Sequence, residues 1–184
     1  MNNFFDIQTS LFFCFFFTFV YLIYIFLGFW VFCSIIFQAY LTITGIETLP
    51  LRMERHVANA MIIAEWLESD SRVSEVSYAG LGNSKYKTLA DTYTPRGPGS
   101  VFTFTLNGGY EDGMKVVERC ELFSLLANVG DTRSLILHPA STTHRQLTPK
   151  ARSSAGAGDD VIRLSIGIES VDDLIADLDY ALGE

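Results

Sequence analysis

The hydrophobic pattern changes character once along the chain. From Leu11 to Phe37 there are 27 consecutive residues without a charge and without a polar face. From residue 49 the spacing is that of ordinary half-buried elements. Val57, Ala60, Met61, Ala64 and Leu67 recur at three and four, which predicts a helix over 49–69 with one buried face. Thr48 is its expected N-cap, and Pro50 is tolerated in the first turn. Val76 and Tyr78 alternate in a strand over 72–79. The stretch 80–99, with Gly82, Pro95, Gly97, Pro98 and Gly99, reads as a polar loop. Phe102, Phe104 and Leu106 alternate with Val101, Thr103 and Thr105, which predicts a half-buried strand over 101–106. A helix over 110–124, short strands over 126–129 and 134–137, a long loop over 138–158, a strand over 161–166 and an acidic amphipathic helix over 171–182 complete the pattern. This order predicts an α+β layer with a small, mainly antiparallel sheet.

The apolar run is long enough to cross a bilayer, which takes about 20 residues. A cleavable signal peptide fits poorly, since no Lys or Arg precedes the run and it is too long. Arg52 and Arg55 follow it, so the positive-inside rule places the remainder in the cytoplasm. Twelve of the 15 Phe fall before residue 38. That skew fits a second origin equally well: an out-of-frame or non-coding tract translated ahead of a real domain. Residues 1–37 are therefore expected to be either a transmembrane helix or an out-of-frame segment, followed by a connecting helix over 38–70 and a small domain over 71–184.

Charge sharpens the same boundary. Asp6 is the single charged residue of the first 46; the other 33 lie beyond, giving that stretch an ordinary globular density. The net charge of −8 argues against a nucleic-acid partner, which would face a basic stripe. Cys14, Cys33 and Cys120 form neither a metal-binding spacing nor a disulfide framework, which suits a reduced, intracellular setting for the small domain.

Candidate chemistry is sparse. The chain has no P-loop, GxGxxG, HExxH or paired CxxC, and no metal ligands are assigned. His138, Ser141 and His144 lie together, but without a nucleophile elbow they read as a polar loop that satisfies its own backbone. Lys85, Lys87, Lys115 and Lys150 read as solvated; none sits where burial would depress its pKa. Arg163 is different, because it interrupts an apolar strand, Val-Ile-Arg-Leu-Ser-Ile. It either points to water from an edge strand or offers its guanidinium fork to a carboxylate.

From about Gln38 onward the chain resembles the Cys/Met-metabolism family of pyridoxal phosphate (PLP)-dependent enzymes, and within it the O-acetylhomoserine sulfhydrylase branch. The residues that carry the resemblance are Gly45–Leu49 with Leu51–His56, Phe104–Gly109, Gly130–Ile136 with His138–His144, Ile162–Glu169, and Asp172–Leu178. The resemblance implies the small C-terminal domain of a type I PLP-dependent transferase fold, with an added N-terminal apolar helix. It implies conversion of O-acetylhomoserine and sulfide, or a thiol, to homocysteine or methionine and acetate, in methionine and cysteine metabolism. It implies PLP as cofactor and a homo-oligomer. It places Arg163, and Ser134 beside it, at the substrate carboxylate. The family's large domain, with the Schiff-base lysine and the cofactor phosphate groups, has no counterpart in the resembling segments, so no catalytic or cofactor-binding residue is assigned. The expectation is a truncated or frame-disrupted enzyme fragment, inactive by itself. The alternative is a membrane-tethered, non-catalytic module built on the same small domain, anchored through residues 11–37.

Overall fold

The computed structural model describes residues 3–183, with side chains described from residue 18 onward. The chain divides into two compact units, 1–49 and 50–184.

The first unit is a single helix, α1 (Asn3–Glu47). Within it, the stretch Thr18–Glu47 contains an 18-residue window of mean hydropathy 2.4 with no buried portion, so by length and composition it could cross a membrane. The hydroxyls of Thr42 and Thr44 donate to the carbonyls of Gln38 and Tyr40, at 2.8 and 2.9 Å. That arrangement removes polar groups from an otherwise apolar surface. The helix runs unbroken through residue 37, where the sequence pattern had suggested a boundary. It stops at Thr48, whose hydroxyl lies 3.4 Å from the carbonyls of both Thr44 and Gly45. Thr48 therefore closes the end of α1, and its hydroxyl is turned away from the N-cap role expected of it.

The second unit begins with α2 (Leu49–Ser69), which accommodates Pro50 in its first turn, where a missing N–H costs nothing. There follow β1 (Val73–Ser77), α3 (Lys87–Tyr93), β2 (Val101–Leu106), α4 (Tyr110–Arg119), β3 (Ser124–Leu125), β4 (Leu135–Leu137), α5 (Pro149–Ser154), β5 (Val161–Ser165) and α6 (Val171–Leu182). The strands form one sheet in the order β1-β2-β5-β4-β3. All pairings are antiparallel except β3 with β4. The mixed helix-and-sheet layer agrees with the expected α+β class.

Strand alternation separates the sheet into two faces. Phe102, Phe104 and Leu106 of β2, Ile136 of β4, and Ile162 and Leu164 of β5 face the core. Onto them pack Ala60, Ile63, Ala64 and Leu67 of α2, Val116 and Val117 of α4, and Leu174, Leu178 and Ala181 of α6. Each large side chain buried there contributes about 1.5–3 kcal/mol. The opposite face carries Val101, Thr103, Thr105, Val161, Arg163, Ser165, Leu135 and Leu137.

Two expected loops contain short helices. The Thr148 hydroxyl accepts from the Ala151 amide, and Pro149 opens α5. Helix α3 has no side-chain cap and buries nothing; an ion pair between Lys87 and Asp91 lies along it. The expected strand over 126–129 does not form. Pairing with β4 falls instead on Ser124 and Leu125.

Candidate functional site

β5 is the middle strand of the sheet, so Arg163 is flanked on both sides. It pairs with Thr103 of β2 and Leu137 of β4. The edge-strand reading of this arginine does not hold. Its side chain rises from the face opposite the core and is partly exposed. Among the described residues, nothing accepts a hydrogen bond or forms an ion pair with its guanidinium.

Arg72 shows the contrasting, structural case. Its Nε and Nη2 donate to the two carboxylate oxygens of Asp70 at 2.9 and 2.5 Å. Nη2 also reaches Asp179 at 2.6 Å, and Nη1 the Gly183 carbonyl at 2.5 Å. The Arg72 guanidinium beside Asp70 holds that carboxyl below its ordinary value. Arg152 likewise has a partner, Asp159 at 2.7 Å. Arg163 thus stands on a central strand with its fork unused.

Ser134 stands just before β4 and is fully buried. Its hydroxyl donates to Glu169 Oε2 at 2.9 Å and accepts from the Gly167 amide at 2.8 Å. Its own amide donates to Glu169 Oε1 at 2.6 Å. Gly167 lies four positions along from Arg163, two beyond the end of β5. Ser134, just before β4, is thus bonded to the segment after β5 and not to Arg163.

Two buried polar residues of α2 hold the same segment from the other direction. His56 Nδ1 lies 2.6 Å from the Ile166 carbonyl, and a carbonyl only accepts, so Nδ1 carries the proton. Asn59 donates to the carbonyls of Gly167 and Glu169 at 3.1 and 2.9 Å. Sequence reasoning missed both residues, along with Glu169. A polar residue inside a helical apolar face, as at 56 and 59, was the available signal.

The His138 cluster is self-contained. Its Nε2 lies 3.0 Å from the Asp159 carbonyl and must donate to it, while Nδ1 lies 3.0 Å from Ser141 Oγ. The hydroxyls of Ser141 and Thr142 return to the His138 carbonyl. Tyr110 packs edge-on against the ring at 5.0 Å. Gly113 admits this ring, because a Cβ there would lie 2.9 Å from it. A groove of about 490 Å³ lies along β1 beside Glu68, Glu75 and Lys85, and Arg163 does not line it.

The lysines decide whether these residues suit an aldimine-forming cofactor. Lys87 pairs with Asp91, Lys115 donates to Asp112 at 3.2 Å, Lys85 lies 5.0 Å from the Tyr86 ring centre, and Lys150 is exposed. None is desolvated as a Schiff-base lysine must be. These residues do not by themselves hold such a group.

Comparison with known proteins identifies the origin of this architecture: the chain belongs to the Cys/Met metabolism PLP-dependent enzyme family, which matches residues 33–183. That match begins inside α1. The chain is 47% identical over 146 residues to an O-acetyl-L-homoserine sulfhydrylase of Thermus thermophilus, covering 79% of this chain and 35% of the relative. It is 47% identical over 146 residues to a homocysteine synthase of Schizosaccharomyces pombe, covering 79% and 34%. A crystal structure described as an O-acetylhomoserine (thiol)-lyase of Campylobacter jejuni superposes with a TM-score of 0.74 at 40% identity, covering 79% of this chain and 35% of that one. That protein carries a pyridoxyl-lysine adduct. The chain spans about a third of the length of these relatives.

Proposed function

We propose that this chain forms the substrate-carboxylate side of a PLP-dependent O-acetylhomoserine sulfhydrylase, acting in methionine biosynthesis. The observation that carries the reading is the unused guanidinium of Arg163 on the central strand. The amino-acid substrate presents a planar carboxylate, and the fork of Arg163 matches it with two parallel N–H donors. Ser134 is assigned to the same pocket by the resemblance alone. Its hydroxyl is engaged by Glu169 and Gly167, so it would reach a substrate only by releasing Glu169. Its present action is to hold the 167–169 segment that follows β5.

The lysine that would bond PLP, and the groups that would grip its phosphate, are not supplied by residues 50–183. The chain by itself is expected to bind the amino acid weakly and to turn none over. Calorimetric titration with O-acetylhomoserine and with its carboxamide tests this. Binding of the acid alone is expected; equal binding of the amide contradicts the role of Arg163. Incubation with PLP followed by borohydride should label none of the four lysines.

The exposed apolar surface of Thr18–Glu47 supports a second reading for that segment alone, insertion into a bilayer with the small domain on the cytoplasmic side. Retention in the membrane fraction after carbonate extraction tests it; release would contradict it. The non-catalytic membrane module gains no support from the named relatives, each of which is an enzyme of sulfur amino-acid chemistry by its name. A homo-oligomer remains an expectation by family likeness.

A further inference from the structure

Ser165 lies two positions beyond Arg163 on β5 and on the same side of the strand. Ile162 and Leu164 alternate with them and face the core. The hydroxyl of Ser165 is buried and has no hydrogen-bond partner. The residues across from it, Val101 on β2 and Leu135 on β4, are apolar and can offer it none. An unmatched buried hydroxyl disfavours the folded state, and native proteins tolerate few of them. One unmatched acceptor and one unmatched donor group, Ser165 Oγ and the Arg163 guanidinium, thus share a strip of strand about 6.6 Å long.

We propose that Ser165 is the positioning residue of the Arg163 site: its hydroxyl accepts one guanidinium N–H and so turns the outer edge of the fork toward the carboxylate of an amino-acid substrate. The valences fit. A guanidinium has five N–H donors, a bidentate carboxylate takes two, and a serine oxygen has lone pairs to take a third. In the free chain the two groups are not bonded; the bond forms as the carboxylate seats and holds the fork in its bidentate orientation. The proposal rests on the reading of Arg163 as the carboxylate ligand, and its test separates the two.

The test is thermal unfolding of the full chain in detergent micelles, with a titration of O-acetylhomoserine, for the unsubstituted chain, Ser165→Ala, Ser165→Thr and Arg163→Gln. Ser165→Ala should unfold no earlier than the unsubstituted chain in the absence of ligand, because it removes a hydroxyl that has no partner. It should bind the amino acid about tenfold more weakly, the loss of one hydrogen bond to a charged group. Ser165→Thr, which keeps the hydroxyl, should retain most of the affinity. Unchanged affinity in Ser165→Ala, a lowered unfolding temperature without ligand, or a loss that Thr does not restore would each overturn the role of Ser165. Arg163→Gln should abolish the ligand-induced shift. If it binds like the unsubstituted chain, or if the unsubstituted chain shows no shift at all, the reading of Arg163 falls and this inference with it.

Discussion

Ser134 and Glu169 hold each other at two points: the serine amide donates to Oε1 at 2.6 Å and the serine hydroxyl to Oε2 at 2.9 Å. The pair joins the start of β4 to the segment after β5. Hydrogen bonds to an ionised partner contribute about 1.5–3 kcal/mol each. Ser134→Ala removes one of them and leaves the Gly167 amide without its acceptor. A loss of about 2–3 kcal/mol in urea unfolding is expected; no loss would show that the pair is incidental.

Gly167 is glycine because there is no room for more. A Cβ at that position would lie 2.3 Å from Glu169 Oε2, 2.4 Å from the Thr132 carbonyl oxygen and 2.6 Å from the Arg133 carbonyl carbon. Two of those atoms are backbone and cannot swing aside. Gly167→Ala should cost about 1–3 kcal/mol through overpacking and displace Ser134 from Glu169. Denaturation together with the amide NMR signal of Ser134 reads both effects; an unmoved signal would contradict the contact.

Asp177 of α6 accepts from three successive amides, those of Glu121, Leu122 and Phe123, at 2.9, 3.0 and 3.1 Å. It anchors the turn that leads into β3. Asp177→Ala leaves three donors to find water, of which only the Phe123 residue is buried. Destabilisation of about 1.5–3 kcal/mol is expected, with faster hydrogen exchange confined to residues 121–123.

The Arg72–Asp70 pair gives a pH dependence. Hydrogen bonding to the guanidinium lowers the Asp70 value below 3.8. The folded value is thus depressed, so the stabilisation is present above the unfolded value and lost as pH falls through the folded one. Asp70→Asn should therefore lower stability at neutral pH and flatten the acid limb below about pH 4. A variant with an unchanged acid limb would contradict the assignment.

Burial, and after it the Asp177 carboxylate, pushes the Cys120 thiol up to about 12. Only the thiolate reacts, so alkylation of Cys120 at pH 8 should be at least about 100-fold slower than that of a free thiol. Mass spectrometry of the 120-containing peptide measures it. Rapid labelling would mean that the α4–β3 corner opens.

How much of this was legible depended on whether the signal was local. The strand 101–106 and the helix 171–182 match the structure residue for residue because their apolar periods are uninterrupted. The helix 49–69 was also plain, but its buried face includes His56 and Asn59, which an apolar count passes over. Helix α5 was announced by Thr148-Pro149 and overlooked inside a long polar stretch. Helix α3 offered no period to read, because it buries no residue. Arg163 was legible as a charge in an apolar strand. Its central position was not, since strand order depends on pairings such as Thr103 with Arg163, 60 residues apart. The link from Ser134 to Glu169 spans 35 residues, and the isolation of Ser165 depends on neighbours from two other strands.

The central claim is that Arg163 receives the carboxylate of the amino-acid substrate. It is tested most directly by following the Arg163 Nε–Hε signal in ¹⁵N NMR while O-acetylhomoserine is added, with Arg163→Lys used for assignment. A saturable downfield shift of that signal is expected, as the N–H passes to a carboxylate, and no such shift with the carboxamide. A signal that stays in place while the ligand saturates elsewhere on the chain would contradict it.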